Sequence, residues 1–415
     1  YYLHYFSRKQ PDLNWENPEI RQEIFDMMRF WFDKGIDGFR MDSISLIAKD
    51  PSFPLIDSKK YPDIFSFYAK EPRLHLYLHE MNRQVLSKYD CMSVGEGSAV
   101  MVDDVAKFVD PAREELNMLY HFDAARIRNT TLPDNPESGI DYSLIALKKM
   151  FTEWDKAIDK GWPSIYLGNH DQPRMVSRFG SDKDEFRALS AKMLITFLLT
   201  MRGTPYWFAG DEIGMRNIRF DRIEDYNDID TINRYKKAKA EGKDPQAVLD
   251  EQKETGRDNA RTPFQWDRSP EAGFTAGPPW LKVNPDYTWI NVADEEKDPT
   301  SILNYFKKVV SFRKENPSLI YGSYHLLDAE NPQCYIFLRK TGADTYLIML
   351  NFSPKAAIST PGIDMSNAHV LLDNYGDRSH MAPQKDITLR PFEAIVFQLN
   401  HPVYESFIDS LDLLE

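Results

Sequence analysis

GFRMDS, residues 38–43, is the stretch that decides the fold, and it directly follows a helix-like run of apolar residues. Side chains alternate along a strand, so Arg40 and Asp42 are expected on one face of it. Phe39 and Met41 would then face the opposite way. A charged pair on the inner face of a buried strand is costly unless something uses it. The pair is therefore either a structural ion pair or part of a functional site, and this stretch alone leaves both interpretations open.

Segments of helical and strand-like pattern alternate on both sides of this stretch. Upstream, Pro18 at a first helical position and Gly35 at the end bound a predicted helix. Downstream, each of three further strand-like segments follows a helical stretch, and these segments are residues 91–96, 163–171 and 203–214. Regular alternation of strand and helix is typical of a parallel α/β sheet, which is the predicted fold class.

The rest of the chain contains a charged stretch and then a change from helical to strand-like patterning. Residues 216 to about 256 are too long for an ordinary connector and follow the fourth predicted strand, where a loop could overhang a site. Beyond a helix that stops before Pro317, short β runs separated by turn residues take over. We therefore predict an α/β catalytic portion at 1–319, an all-β domain at 320–400 and a tail at 401–415.

Composition excludes several classes of partner. The 415 residues carry a net charge of −13, which argues against nucleic acid or an anionic membrane surface, since both are polyanionic. No apolar run approaches the roughly 20 residues that span a bilayer. Cys91 and Cys334 are far apart, so neither a disulfide framework nor a cysteine metal site is expected. Two lone cysteines suit a reducing space, and we expect a cytoplasmic monomer or small homo-oligomer.

Acidic residues follow or end three of the predicted strands. Arg40 and Asp42 end the first, Glu96 ends the second and Asp171 ends the third. Because the carboxyl ends of parallel strands meet at one edge of the sheet, these side chains are expected to converge there. Like charges repel in a confined site, so a convergence of three carboxylates indicates chemistry rather than a structural role.

Glycoside hydrolysis is the reaction that suits several carboxylates without metal-binding cysteines. One carboxylate attacks the sugar carbon and a second protonates the departing oxygen. The guanidinium of Arg40 would keep Asp42 ionised as nucleophile. Glu96 follows Val94 and Gly95, a less charged context that favours a protonated acid. Metal-assisted hydrolysis is the competing chemistry, because carboxylate oxygens also suit Mg²⁺ or Ca²⁺.

Motifs in a fixed order identify a resemblance. GFRMD at 38–42, VGE at 94–96 and GNHDQPR at 168–174 resemble the second, third and fourth signature regions of the α-amylase family of retaining glycosidases, glycoside hydrolase family 13. QPDLN at 10–14 resembles a motif of its oligo-1,6-glucosidase subgroup. GRDNARTPFQWD at 256–267 is similar to a segment characteristic of its α-glucosidases.

The resemblance implies a (β/α)8 TIM barrel with an inserted subdomain, followed by a C-terminal antiparallel β-sandwich. The chain begins without an initiator Met, and by this resemblance it lacks the first three barrel strands and the inserted subdomain. We therefore expect a fragment of a longer enzyme. The resemblance implies no cofactor, and any calcium site would belong to the absent N-terminal part.

Site residues carry over position by position. The resemblance implies that Asp42 is the nucleophile, Glu96 the acid/base and Asp171 the stabiliser of the transition state. Further positions match residues that hold the sugar in the first subsite, namely Arg40, His170 and Arg257. Ser43 follows the nucleophile, where Val goes with α-1,6 bonds and Thr or Ala with α-1,4 bonds, so Ser leaves the linkage open.

The expected function is that of a retaining, exo-acting α-glucosidase acting on short isomalto-oligosaccharides. An α-1,4-glucosidase remains an alternative. Sucrose isomerases form another, since they share these motifs and add an Arg-rich loop, of which Arg126 and Arg128 remain here. A non-catalytic scaffold is the alternative of a different class, and the presence of all three carboxylates argues against it.

Overall fold

The computed structural model describes much of the chain in two compact units. The described residues are 1–61, 63–342, 344–365, 368–378 and 385–399. The predicted tail at 401–415 lies outside them. The first unit comprises residues 1–124 and 150–164, and the second comprises 125–149 and 165–415. The predicted division at residue 320 stays a prediction.

The first unit is built on a short parallel sheet. Its strands are β1 (Gly38–Met41), β2 (Met92–Glu96) and β3 (Met118–Tyr120), in that spatial order. Its helices are α1 (Pro18–Asp33), α2 (Ile64–Tyr68), α3 (Arg73–Gln84) and α4 (Val105–Val109). Helix α1 begins as the sequence predicts, because the Asn17 side chain accepts a hydrogen bond from the Glu19 amide and Pro18 occupies the first turn.

Sequence patterning located two of these strands and missed the third. Strands β1 and β2 coincide with predicted strands, whereas β3 is a three-residue strand without an apolar alternation long enough to detect. Further along, only β4 (Ser164–Ile165) and β5 (Thr204–Pro205) are strand within the longer predicted segments. Asp171 therefore lies in a loop beyond β4 and not at the end of a strand.

Two helices continue the chain from one unit to the other, and these are α5 (Asp123–Thr130) and α6 (Leu144–Ala157). The second unit then contains α7 (Met175–Phe179), α8 (Arg187–Thr200), α9 (Ile229–Ala240), α10 (Pro245–Thr255), α11 (Val292–Glu295), α12 (Ile302–Glu315) and α13 (Ser318–Tyr321). The charged stretch from 216 to 256 thus folds mainly into α9 and α10. Among the described residues, no helix is long and apolar enough to cross a membrane.

Antiparallel strands follow α13, as the change of period predicts. They are β6 (Ser323–Leu327), β7 (Cys334–Thr341), β8 (Asp344–Asn351), β9 (Ala357–Ser359), β10 (Ala368–Asp373), β11 (Ile387–Leu389) and β12 (Ala394–Leu399). Five of them form one sheet in the order β10-β12-β8-β7-β6, and β9 pairs with β11. Apolar side chains from both sheets, including Ile336, Met349 and Leu389, share one buried cluster. The two sheets therefore enclose a common core.

Helix α8 is buried along nearly its whole length, so its last carbonyl groups need partners inside the protein. The Arg313 guanidinium donates hydrogen bonds of 2.8 Å to the carbonyls of Leu199 and Met201 and one of 2.6 Å to that of Gly203. Arg339 donates to the carbonyl of Thr200. Two buried cations thus satisfy the negative end of the helix dipole.

We expect the Arg313→Met substitution to lower the free energy of unfolding by about 2–4 kcal/mol, because several buried carbonyls lose their donor. Urea denaturation followed by circular dichroism measures the change. Arg222→Met is the control, since the side chain of Arg222 is 67% exposed. Equal effects of the two substitutions would contradict the proposed capping role.

Candidate active site

One guanidinium contacts both carboxylates at the end of the parallel sheet. Arg40 Nη1 lies 2.6 Å from Asp42 Oδ1, and Arg40 Nη2 lies 2.6 Å from Glu96 Oε2. The Ser43 amide donates to the same Glu96 oxygen at 3.3 Å, and the Ser98 hydroxyl donates to the other at 3.2 Å. Sequence analysis expected the first four of these residues to share a site, and the structure brings them together.

Strand register explains this juxtaposition. In the parallel pair β1–β2, Met41 lies opposite Gly95, so the residues that follow each of them emerge at the same edge of the sheet. Directly after Asp42 the backbone of Ser43 turns into the left-handed region, with φ of 44°. This turn ends the strand and points the Ser43 amide at Glu96.

The two carboxylates differ in environment. The Asp42 side chain is 76% exposed, whereas that of Glu96 is only 9% exposed. The expectation of a buried charged pair was therefore wrong for Asp42, because this residue lies just beyond the last residue of β1. Burial is the main cause that raises the pKa of Glu96, and a hydrogen bond with the Asp42 side chain raises it further. Arg40 opposes both effects, and the net direction is upward.

The third predicted carboxylate, in the second unit, has its own set of cations. Arg261 Nη2 lies 2.6 Å from Asp171 Oδ1, and Arg257 Nη1 lies 3.5 Å from the same oxygen. On the other side, His170 Nε2 is 3.4 Å from Asp171 Oδ2. The Asn169 side chain accepts a hydrogen bond from the Asp171 amide and so orders the loop after β4. Asp171, His170 and Arg257 are thus brought together as predicted.

A buried carboxylate fixes the two arginines. Asp228, 4% exposed, accepts a 2.7 Å contact from Arg257 and lies 3.7 Å from Arg261. Asp228 also caps α9 by accepting a hydrogen bond from the Thr231 amide. Its own backbone amide donates to Asp258. The arginines are consequently held by charge on both sides.

Sequence reasoning missed Arg261 and Asp228. Arg261 follows Arg257 by four residues within the quoted GRDNAR segment, so a helical spacing was available as a signal. Asp228 lies inside a stretch of mixed charges, where nothing distinguishes it from its neighbours before the fold is known. The expected convergence of the Asp42, Glu96 and Asp171 side chains at one site stays a prediction.

Two carboxylates at the ends of neighbouring parallel strands share one guanidinium, and one of them is exposed while the other is buried with its pKa raised. This arrangement suits a class of hydrolase that works by acid–base and nucleophilic chemistry. Comparison with known proteins makes the class specific. The α-amylase catalytic-domain family matches residues 1–322. The chain therefore belongs to the α-amylase family and is a glycoside hydrolase.

The similarity to known proteins extends over nearly the whole chain. It is 47% identical over 412 residues to an oligo-1,6-glucosidase of Parageobacillus thermoglucosidasius, covering 97% of this chain and 72% of that protein. It is 44% identical to an oligo-1,6-glucosidase of Bacillus cereus, covering 96% and 72%. The crystal structure of an isomaltulose synthase from Protaminobacter rubrum is similar with a TM-score of 0.89 at 38% identity, covering 97% and 72%. The predicted α-amylase fold, a TIM barrel followed by an antiparallel β-domain, is confirmed.

We expect the Arg40→Gln substitution to move the alkaline limb of the kcat/KM profile to higher pH. The reason is that Arg40 lowers the pKa of Glu96, so its removal keeps Glu96 protonated to higher pH. Glycoside hydrolysis measured across a pH series gives the limb, whatever the drop in absolute rate. Arg29→Gln, which removes a contact with Asp26, is the control and should leave the limb in place. An unmoved limb in Arg40→Gln would contradict the assignment.

Proposed function

We propose that this protein is a retaining, exo-acting α-glucosidase that hydrolyses short α-glucosides, chiefly the α-1,6 bonds of isomalto-oligosaccharides. One observation carries the proposal: the Arg40 guanidinium lies between an exposed carboxylate and a buried one whose pKa is raised. Double displacement requires this combination of an ionised nucleophile and a protonated acid. The oligo-1,6-glucosidase relatives support the linkage.

In the first step the ionised Asp42 attacks the anomeric carbon of the glucosyl unit. The bond from that carbon to the leaving oxygen breaks, and Glu96 transfers its proton to this oxygen. The contact with Arg40 favours the ionised form of Asp42, while burial favours the protonated form of Glu96. Asp171 is proposed to stabilise the positive charge that develops on the sugar.

In the second step Glu96, now a carboxylate, accepts a proton from water. The water oxygen attacks the anomeric carbon, and the ester bond to Asp42 breaks. Two inversions leave the configuration retained. One guanidinium contacts both carboxylates, at 2.6 Å from each. This close placement favours retention over inversion, because inverting enzymes separate their carboxyls by about 6.5–9.5 Å to admit a water.

His170, Arg257 and Ser43 are proposed to bind substrate. His170 and Arg257 contact Asp171, so their remaining hydrogen-bonding groups suit the hydroxyls of the same sugar. Ser43 adjoins the nucleophile and holds Glu96 through its amide. We propose that hydrolysis uses no cofactor, because carboxylates suffice for each proton transfer.

Cellular context is also part of the proposal. Cys91 and Cys334 are unpaired, which suits a reducing space, and we propose a cytoplasmic enzyme. A monomer or small homo-oligomer acting on a small oligosaccharide, without nucleic acid or membrane as partner, accords with the net charge of −13.

Sucrose isomerisation is the second candidate, favoured by the likeness to the isomaltulose synthase structure. Of the residues singled out for it, Arg128 is engaged by Asp141 at 2.5 Å and donates to the Arg178 carbonyl. These contacts give Arg128 a local structural role. An isomerase would rejoin the two halves of sucrose, whereas a hydrolase transfers the glucosyl unit to water.

Product analysis on isomaltose, maltose and sucrose tests the assignment. We expect glucose from isomaltose with a kcat/KM at least about tenfold higher than from maltose, since differential transition-state binding of one linkage is worth about 1–3 kcal/mol. The α-anomer should form first, as proton NMR of the early products shows. Isomaltulose or trehalulose as the main product from sucrose would establish the isomerase instead.

Rescue by azide tests the two carboxylate roles separately. We expect Glu96→Ala to cleave an activated aryl α-glucoside in azide to the α-glucosyl azide, because azide enters the space of the missing acid/base after the ester has formed. Asp42→Gly should yield the β-glucosyl azide, because azide then replaces the nucleophile. NMR of the isolated products distinguishes the anomers.

Glu80→Ala is the control, because Glu80 lies on α3 and pairs with Arg21 of α1. This variant should retain full activity without azide. Exchanged anomers would reverse the roles of Asp42 and Glu96. Full activity of Asp42→Gly without azide would rule out that residue as nucleophile.

A further inference from the structure

Trp280 is an exposed aromatic residue that the second unit holds rigidly. Trp280 is 60% exposed, yet its indole Nε1–H donates a 2.8 Å hydrogen bond to the Arg261 carbonyl. Its own carbonyl accepts a hydrogen bond from the Asn227 side chain. The ring also meets Phe274 edge-on, with ring centroids 5.0 Å apart and planes at 89°.

The chain on either side limits movement of this indole. Pro278 and Pro279 precede it directly, and proline fixes the backbone φ angle. Leu281 follows it, 4% exposed, in a buried cluster with Phe220, Tyr226 and Leu249. An aromatic ring presented to solvent on such a fixed backbone loses little conformational freedom when a ligand covers it.

The residues that hold the indole belong to the candidate active site. Arg261, whose carbonyl accepts the indole N–H, contacts Asp171 through its guanidinium at 2.6 Å. Asn227 precedes Asp228, the buried carboxylate that binds Arg257. Arg261 therefore links the two residues, since its carbonyl accepts from the indole of Trp280 and its guanidinium contacts Asp171.

We propose that Trp280 is a stacking platform for an outer glucosyl unit of the substrate, on the leaving-group side of the bond that is cleaved. This inference rests on the proposed function. An exo-acting enzyme removes the terminal unit, so every additional unit of a longer substrate extends from the leaving-group side. Burial of an exposed aromatic face is favourable, and a sugar ring offers an apolar C–H face of matching size.

Trp280 then sets the preference for chain length. Isomaltose has no outer unit to stack on the platform, whereas isomaltotriose and isomaltotetraose do. The indole does not touch the reacting atoms, so its contribution to binding is the same before and in the transition state. It should therefore act on KM and leave kcat unchanged.

Steady-state kinetics of Trp280→Ala on isomaltose and isomaltotetraose tests this inference. We expect kcat/KM for the tetraose to fall about tenfold, through KM, while that for isomaltose stays within about twofold. Trp280→Phe keeps an aromatic face without the hydrogen bond to Arg261, and it should recover most of the tetraose activity. Trp266→Ala is the matched control, because that residue is 50% exposed on the same segment and its ring packs on Phe264.

The outcomes separate this inference from the proposed function. An unchanged ratio of tetraose to isomaltose activity in Trp280→Ala overturns the platform and leaves the glucosidase intact. An equal loss on both substrates that Phe does not restore assigns Trp280 to the support of Arg261 and also overturns the platform. If Trp280→Ala fails to fold, an unchanged KM for both substrates with a fall in kcat in Trp280→Phe overturns it. A wild-type enzyme that cleaves neither substrate overturns the proposed function itself.

Discussion

A single guanidinium between two carboxylates is the interaction on which the candidate active site of the first unit depends. Arg40 contacts Asp42 and Glu96 with separate nitrogens, each at 2.6 Å. Without that cation, two acidic groups so close would share one negative charge between them. With it, the two carboxylates differ in burial, and burial is the main cause that raises the pKa of Glu96. The proposed acid and the proposed nucleophile thus differ through their surroundings, since both are carboxylates.

The second unit also places cations between two carboxylates, but it uses two arginines instead of one. There the half-buried Asp171 and the buried Asp228 share the cations Arg257 and Arg261. Helix α9 begins at this cluster, because Asp228 is also its N-cap. The long charged insertion is therefore anchored to the residues that surround Asp171. This arrangement couples the placement of a surface helix to the geometry of a proposed catalytic group.

Much of the fold could be predicted from the sequence, because local patterns indicate local structure. The capped start of α1, the strands β1 and β2 and the change to antiparallel strands after residue 320 all follow from spacing and turn residues. Strand β3 escaped prediction because three residues are too few to show a period. Asp171 was placed at the end of a strand, but β4 stops at Ile165, since the residues beyond it form loop hydrogen bonds instead.

The sequence by itself determined the family and the fold class, and it predicted the catalytic carboxylates, because each depends on short contiguous motifs. Only the tertiary structure decided how those groups are buried and held. The exposure of Asp42, the burial of Glu96, and the contacts of Arg261, Asp228 and Trp280 depend on residues far apart along the chain. Such contacts produce no periodic pattern in the sequence, because the burial and the contacts of a residue depend on the groups that the fold places around it.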